Sequence, residues 1–213
     1  MHDQPNPQPS QRRFWLWFGL IFAALFSLAV GIVSFFVYQA YTISKNITSP
    51  TPIAIPVPTP DQEKLVDLGE RLTTFQTAIA EDQPGELVLS AEDLNTLIST
   101  EPDLAGRFYF DIQADEVSLK GALPLDAIPG FEGRFVNGTI AVRVNLQDQN
   151  LVVTPTKLTL DNPEMPKFVQ EALLDSLKEQ NLAEEAAKEP EFQQWLQTVK
   201  SIRVESGKII ITR

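Results

Sequence analysis

No charged side chain falls between Arg13 and Lys45, and Phe14 to Tyr38 (FWLWFGLIFAALFSLAVGIVSFFVY) is almost purely apolar. A helix over these residues rises roughly 37 Å, enough to cross a hydrocarbon core of about 30 Å with some tilt. A buried core helix of that length normally keeps a polar face. This segment has none, apart from the small residues Ser27 and Ser34. Cleaved signal peptides have apolar regions of roughly 7–15 residues, and Val37-Tyr38-Gln39-Ala40 lacks a small-x-small cleavage pattern. The sequence therefore predicts an uncleaved transmembrane helix over 14–41, in contact with the lipid bilayer through Phe14–Tyr38. Trp15 and Trp17 at one end, and Tyr38 and Tyr41 at the other, suit the two membrane–water interfaces. Arg12 and Arg13 abut the N-terminal end, while only Lys45 lies close on the other side. The positive-inside rule then places the N-terminus in the cytoplasm and the C-terminal bulk outside it, as a single-pass cell-membrane protein.

The anchor divides the chain. Residues 1–13 are polar and Pro-rich, read as a disordered cytoplasmic tail that carries the lone histidine, His2. Residues 42–60 form a linker with prolines at 50, 52, 56, 58 and 60. Proline fixes φ and removes a donor, so polyproline II is the expected state and neither helix nor central strand forms. Twelve such residues reach roughly 35 Å, which predicts a semi-rigid stalk holding the domain off the membrane. Asn46-Ile47-Thr48 and Asn137-Gly138-Thr139 match the glycosylation sequon, a short match that matters only in a eukaryotic host.

Residues 61–213 are the size of one domain and can bury a full core without staples. The chain has no cysteine, which excludes disulfides, thiolate metal sites and cysteine nucleophiles. Its formal charge of −11 divides as +2 over residues 1–60 and −13 over 61–213. An acidic outer domain argues against nucleic acid as a partner.

Periodicity predicts an α+β domain with one strongly curved antiparallel sheet packed by helices. Asp61 opens a helix whose Leu65, Leu68, Leu72, Phe75 and Ile79 form one stripe. Glu86–Leu89 is a short strand. Ser90 and Asp93 have capping-box spacing ahead of a helix that buries Leu94, Leu97 and Ile98. Asn95 sits between those buried positions, and its expected role is a hydrogen bond to a neighbouring backbone that fixes the helix. Strands follow at Arg107–Ile112, from Val117 to about Leu123, Phe135–Leu146 and Leu151–Leu160. A Pro-initiated helix carries Val169, Leu173 and Leu177, a last helix from Pro190 carries Phe192, Leu196 and Val199, and a hairpin over 202–212 ends the chain.

Catalytic signatures are missing from the sequence. The outer domain contains neither His nor Cys, which rules out Ser-His-Asp and Cys-His arrangements, and no P-loop, GxGxxG, HExxH or EF-hand loop occurs. No cofactor or metal is expected. Asp111, Asp115 and Glu116 gather at one turn, where solubility and turn formation explain them better than a weak cation site. A carboxylate-dependent hydrolase of envelope glycans or lipids is the alternative, with no two acids marked out for it. The aromatic residues Phe108, Phe110, Phe131, Phe135, Phe168, Phe192 and Trp195 concentrate in the second half of the domain. Phe108, Phe110, Phe135, Phe168 and Trp195 are the candidates for an apolar groove between sheet and helix that would accept an acyl chain; an ordinary core is the competing reading.

The order helix, short strand, S-A-E-D-L-N-T-L-I, strand pairs, Pro-initiated helix and terminal hairpin resembles bacterial single-pass membrane proteins of the YpmS-like group, which share an N-terminal anchor and an x-x-L-N-x-x-I helix. The resemblance implies one extracytoplasmic domain, somewhat like envelope lipid-binding modules in which a curved sheet wraps a helix. It implies no catalytic residues. The function expected is a membrane-anchored, non-catalytic binding module for a lipid or for an envelope protein partner.

Overall fold

The computed structural model describes residues 48–59, 61–102, 104–126, 129–161, 167–179, 182–183 and 190–213. The expected tail and transmembrane helix, and the sequon at Asn46, lie outside these residues. Among the described residues no helix is long and apolar enough to cross a membrane.

The domain is α+β. Helix α1 (Gln62–Ala80) begins at Asp61, whose carboxylate accepts from the backbone N–H groups of Glu63 and Lys64. Its stripe buries Leu68, Leu72 and Phe75. Strand β1 (Glu86–Ser90) runs straight into α2 (Ala91–Ser99). The capping box is formed in both directions: Ser90 Oγ accepts from Asp93 N at 3.1 Å, and Asp93 Oδ2 accepts from Ser90 N at 2.8 Å. A meander follows, β2 (Phe108–Gln113), β3 (Glu116–Pro124), β4 (Phe135–Gln147) and β5 (Asn150–Leu160). Helices α3 (Lys167–Lys178) and α4 (Pro190–Thr198) precede the terminal hairpin of β6 (Ser201–Glu205) and β7 (Lys208–Thr212).

The sheet organisation differs from the single sheet expected. The described strands form two antiparallel sheets, one in the order β2-β3-β4-β5 and one in the order β1-β7-β6. The C-terminal hairpin pairs with β1, with Leu87 opposite Ile211 and Leu89 opposite Ile209. It does not extend the meander, because β1 offers a free edge with a matching alternation. The two sheets meet where β6 lies beside β4, and where Gly207 N donates to Ala114 O at 3.2 Å between two hairpin tips. One hydrophobic cluster runs through both described sheets and the four described helices, from Leu68 and Leu94 to Ile140, Leu177, Trp195 and Ile211.

Within the four-stranded sheet, partners directly opposite share a face. Phe108, Phe110 and Ile112 therefore lie with Gly121, Leu119 and Val117, and these with Gly138, Ile140 and Val142. This is the core face. Gly121 and Gly138 face each other across β3 and β4, and each is overlaid by a large side chain. A Cβ on Gly121 would stand 3.1 Å from the Phe108 ring, and one on Gly138 would stand 2.7 Å from Thr159 O. Such glycines mark close approach within a sheet. Strand β5 carries Pro155 at the irregularity between Ala141 and Val142, where an edge strand tolerates a missing donor.

Candidate functional site

The five groove candidates are not gathered on one surface. Phe110 and Trp195 are only 6 % and 5 % exposed, inside the common core. Trp195 stacks on Phe192 with ring centroids 5.6 Å apart. Phe108 is half-buried, on the core face over Gly121. Phe135 pairs with Pro124, out of step with Phe108 and Phe110, so it stands on the opposite, outer face. Phe168, in the first turn of α3, is 70 % exposed. The structure thus assigns two of the five to core packing and separates the other three. Sequence periodicity shows that a residue is apolar; it does not show which face of which sheet it joins.

The acidic turn is an ion-paired surface. Arg143 Nε donates to Asp115 Oδ2 at 2.9 Å and its Nη2 lies 3.2 Å from Glu116 Oε1. Asp111 Oδ2 accepts from Gln113 Nε2 at 2.7 Å. Asp111 and Asp115 are exposed. Among the described residues no group of three His, Asp or Glu is placed to hold a metal ion.

Asn95 does what its position predicts. Its side chain is 3 % exposed. Nδ2 donates to Phe110 O at 2.7 Å, and Oδ1 accepts from Phe110 N at 2.7 Å. Strand β2 is an edge of its sheet, and the amide saturates both groups of Phe110 as a neighbouring strand would. Unpaired edge groups are templates for association; here α2 closes the edge at its centre.

A cationic tie at the opposite side was not visible in the sequence. Arg71, on α1, donates from Nη1 to Val88 O at 2.6 Å and from Nη2 to Asp93 Oδ1 at 2.6 Å, and from Nε to Asp67 Oδ2 at 2.9 Å. It binds α1, β1 and α2 together. Burial pushes the Asp93 carboxyl up, but hydrogen bonds from Arg71 and from Ser90 N and Oγ outweigh it, and its pKa lies below the usual carboxylate value. A depressed folded pKa gives stability that is present above the unfolded pKa and lost as pH falls through the folded one. Asp93→Asn keeps an acceptor but loses the charge. We expect it to cost about 1 kcal/mol at neutral pH. Chemical denaturation across the acid range should show the difference from wild type close as Asp93 itself protonates.

The most distinctive arrangement starts at the edge of β4 and runs from there onto the outer face of the four-stranded sheet. Ser49 and Phe135 exchange two backbone hydrogen bonds of 2.8 Å each. Arg134 donates from Nε to Thr48 Oγ1 at 2.5 Å and from Nη2 to Thr48 O at 2.9 Å. Asn137 Nδ2 donates to Thr51 O at 2.8 Å, and its Oδ1 accepts from Ile53 N at 3.2 Å. Thr48 and Asn137 are 4 % and 5 % exposed. Further on, Val57 reaches the far side of the sheet, where its Cγ2 would stand 3.3 Å from a Cβ on Gly106. Ile53 and Ile55 are half-buried while Pro52, Ala54 and Pro56 are exposed. Residues 48–57, expected as a free-standing stalk, are thus tied to the sheet as a strap. The alternation of Ile53 and Ile55 between prolines is the signal that the composition of the segment masks. Asn137, read as a sequon match, has both ends of its amide engaged by the strap.

No protein-family model matches the chain, and neither a curated protein nor a solved structure does.

Proposed function

We propose that this chain is a membrane-anchored, extracytoplasmic and non-catalytic binding module, held at the cell membrane by Phe14–Tyr38, whose outer domain docks an envelope protein. The observation that carries the reading is the uncharged apolar run between Arg13 and Lys45, long enough for one crossing and flanked by arginines on its N-terminal side. The protein partner is favoured over a lipid ligand because the aromatic residues available for an acyl groove are spent in the core or separated on different faces. A non-catalytic role is supported by the carboxylates at the first hairpin, which are exposed and occupied by Arg143 and Gln113. The likeness to the YpmS-like group adds the x-x-L-N-x-x-I helix, in which Asn95 has a structural duty.

The native chain lacks cysteine, so single-cysteine variants report topology cleanly. In intact cells a membrane-impermeant maleimide should label Gln194→Cys, an exposed position on α4. It should leave Ser10→Cys unlabelled until the membrane is opened. The reverse pattern, or release of the chain by alkaline carbonate, overturns the reading.

A further inference from the structure

The described chain starts at one corner of the four-stranded sheet, where Thr48 and Ser49 are bound by Arg134 and Phe135. Tyr41, the last interfacial aromatic, is seven residues earlier in the sequence. Seven extended residues span at most about 25 Å. Were residues 48–60 free, the tether from Tyr41 to Asp61 would reach up to roughly 70 Å. The strap therefore decides how far the domain stands from the bilayer. It also decides which end leads. Strand β4 begins at that corner with Phe135 and ends at Gln147, next to the turn at Asp148 and Gln149. Thirteen strand residues put the turn roughly 40 Å away. The hairpin tips at Ala114 and Gly207, which touch each other, lie towards the same far end, because β3 starts opposite Val142.

We infer that the corner formed by Thr48, Ser49, Arg134 and Phe135 is the membrane-facing surface of the domain, held there by the strap, and that the hairpin tips face away from the bilayer. The inference rests on the anchor proposed above. The tether, not charge, brings this corner to the headgroups. Asp126 and Glu132 beside it are exposed, and each accepts from a nearby backbone N–H, from Gly133 N at 2.7 Å and from Gly130 N at 3.1 Å. These acids are repelled by anionic headgroups and supply no attraction of their own. The tips, with Asp115, Glu116 and Arg143 close by, are left to a protein partner.

The test uses the full chain in phosphatidylcholine vesicles. Ser49 and Phe135 form a hydrogen-bonded antiparallel pair, whose Cα atoms stand about 5.5 Å apart, within disulfide range. Ser49→Cys with Phe135→Cys should oxidise readily, while Ser49→Cys with Asp148→Cys should not. Energy transfer to a headgroup-labelled lipid should be several-fold stronger from a donor on Glu132→Cys than from one on Asp148→Cys. Arg134→Ala with Asn137→Ala should release the strap and weaken transfer from the Glu132 position. Oxidising the Ser49–Phe135 cysteine pair in that background should restore it, which an unfolded domain would not do. Failure of the pair to oxidise, equal transfer from the two sites, or no loss on release each overturns the inference. A chain that oxidises the pair but does not float with the vesicles overturns the anchor, and with it the orientation. The disulfide yield separates that failure from a failure of the strap.

Discussion

Trp195→Ala should lower the stability of the domain by roughly 3–5 kcal/mol, the range for truncating a buried aromatic side chain. The side chain is 5 % exposed and stacks on Phe192, itself 3 % exposed, so truncation leaves a cavity that the surrounding core fills only in part. For a domain of this size the loss corresponds to a fall in Tm of roughly 6–20 °C. A thermal melt followed by far-UV circular dichroism reads it directly. The outcome also decides between two roles for the residue. A side chain that lined a ligand groove would be dispensable for the ligand-free fold, and its truncation would leave Tm near that of wild type. Phe168→Ala is the internal comparison. Phe168 is 70 % exposed, and its replacement should change stability by no more than about 0.5 kcal/mol.

Asn95→Ala is expected to cost roughly 2–5 kcal/mol, because it strips partners from two backbone groups at a buried edge. The variant should also associate more readily, since Phe110 N–H and C=O become available to another strand. Denaturation midpoints together with light scattering measure both effects. Asn95→Asp separates hydrogen bonding from size. An ionised carboxylate still accepts from Phe110 N but cannot donate to Phe110 O, and it is buried against that carbonyl. Burial and the carbonyl raise the folded pKa of the introduced acid above its unfolded value. The folded state then binds more protons than the unfolded, so stability rises as pH falls. A variant whose stability does not improve on acidification would contradict the two-way hydrogen bond.

The elements that could be read from the chain are those whose signals are local. Asp61, Ser90 and Asp93 announce helix starts because a cap and its N–H partners lie within three residues. The hairpins of the meander could be read because alternation and turn sit side by side. Asn95 could be assigned a backbone partner, since a buried amide must find one. That the partner is Phe110 could not be read, because nothing in the sequence around either residue points to the other. The role of Arg71 is not legible locally for the same reason: its acceptors Val88 and Asp93 come from two later elements. The composition of the proline run signals only an extended chain, and the half-buried Ile53 and Ile55 take their role from the outer face of the sheet.

By itself, the amino-acid sequence determined the apolar run at the N-terminal end, the acidic cysteine-free character of residues 61–213, their α+β class and most helix and strand boundaries. Each of these follows from composition, or from a periodicity that any helix or strand imposes on its own residues. Tertiary structure alone decided that β1 takes the C-terminal hairpin into a second sheet, and that Phe135 stands on the face opposite Phe108 and Phe110. It alone decided that residues 48–57 lie along the sheet. These depend on which distant groups complete a backbone's hydrogen bonds and cover an apolar face. That competition is settled only when the whole chain has folded.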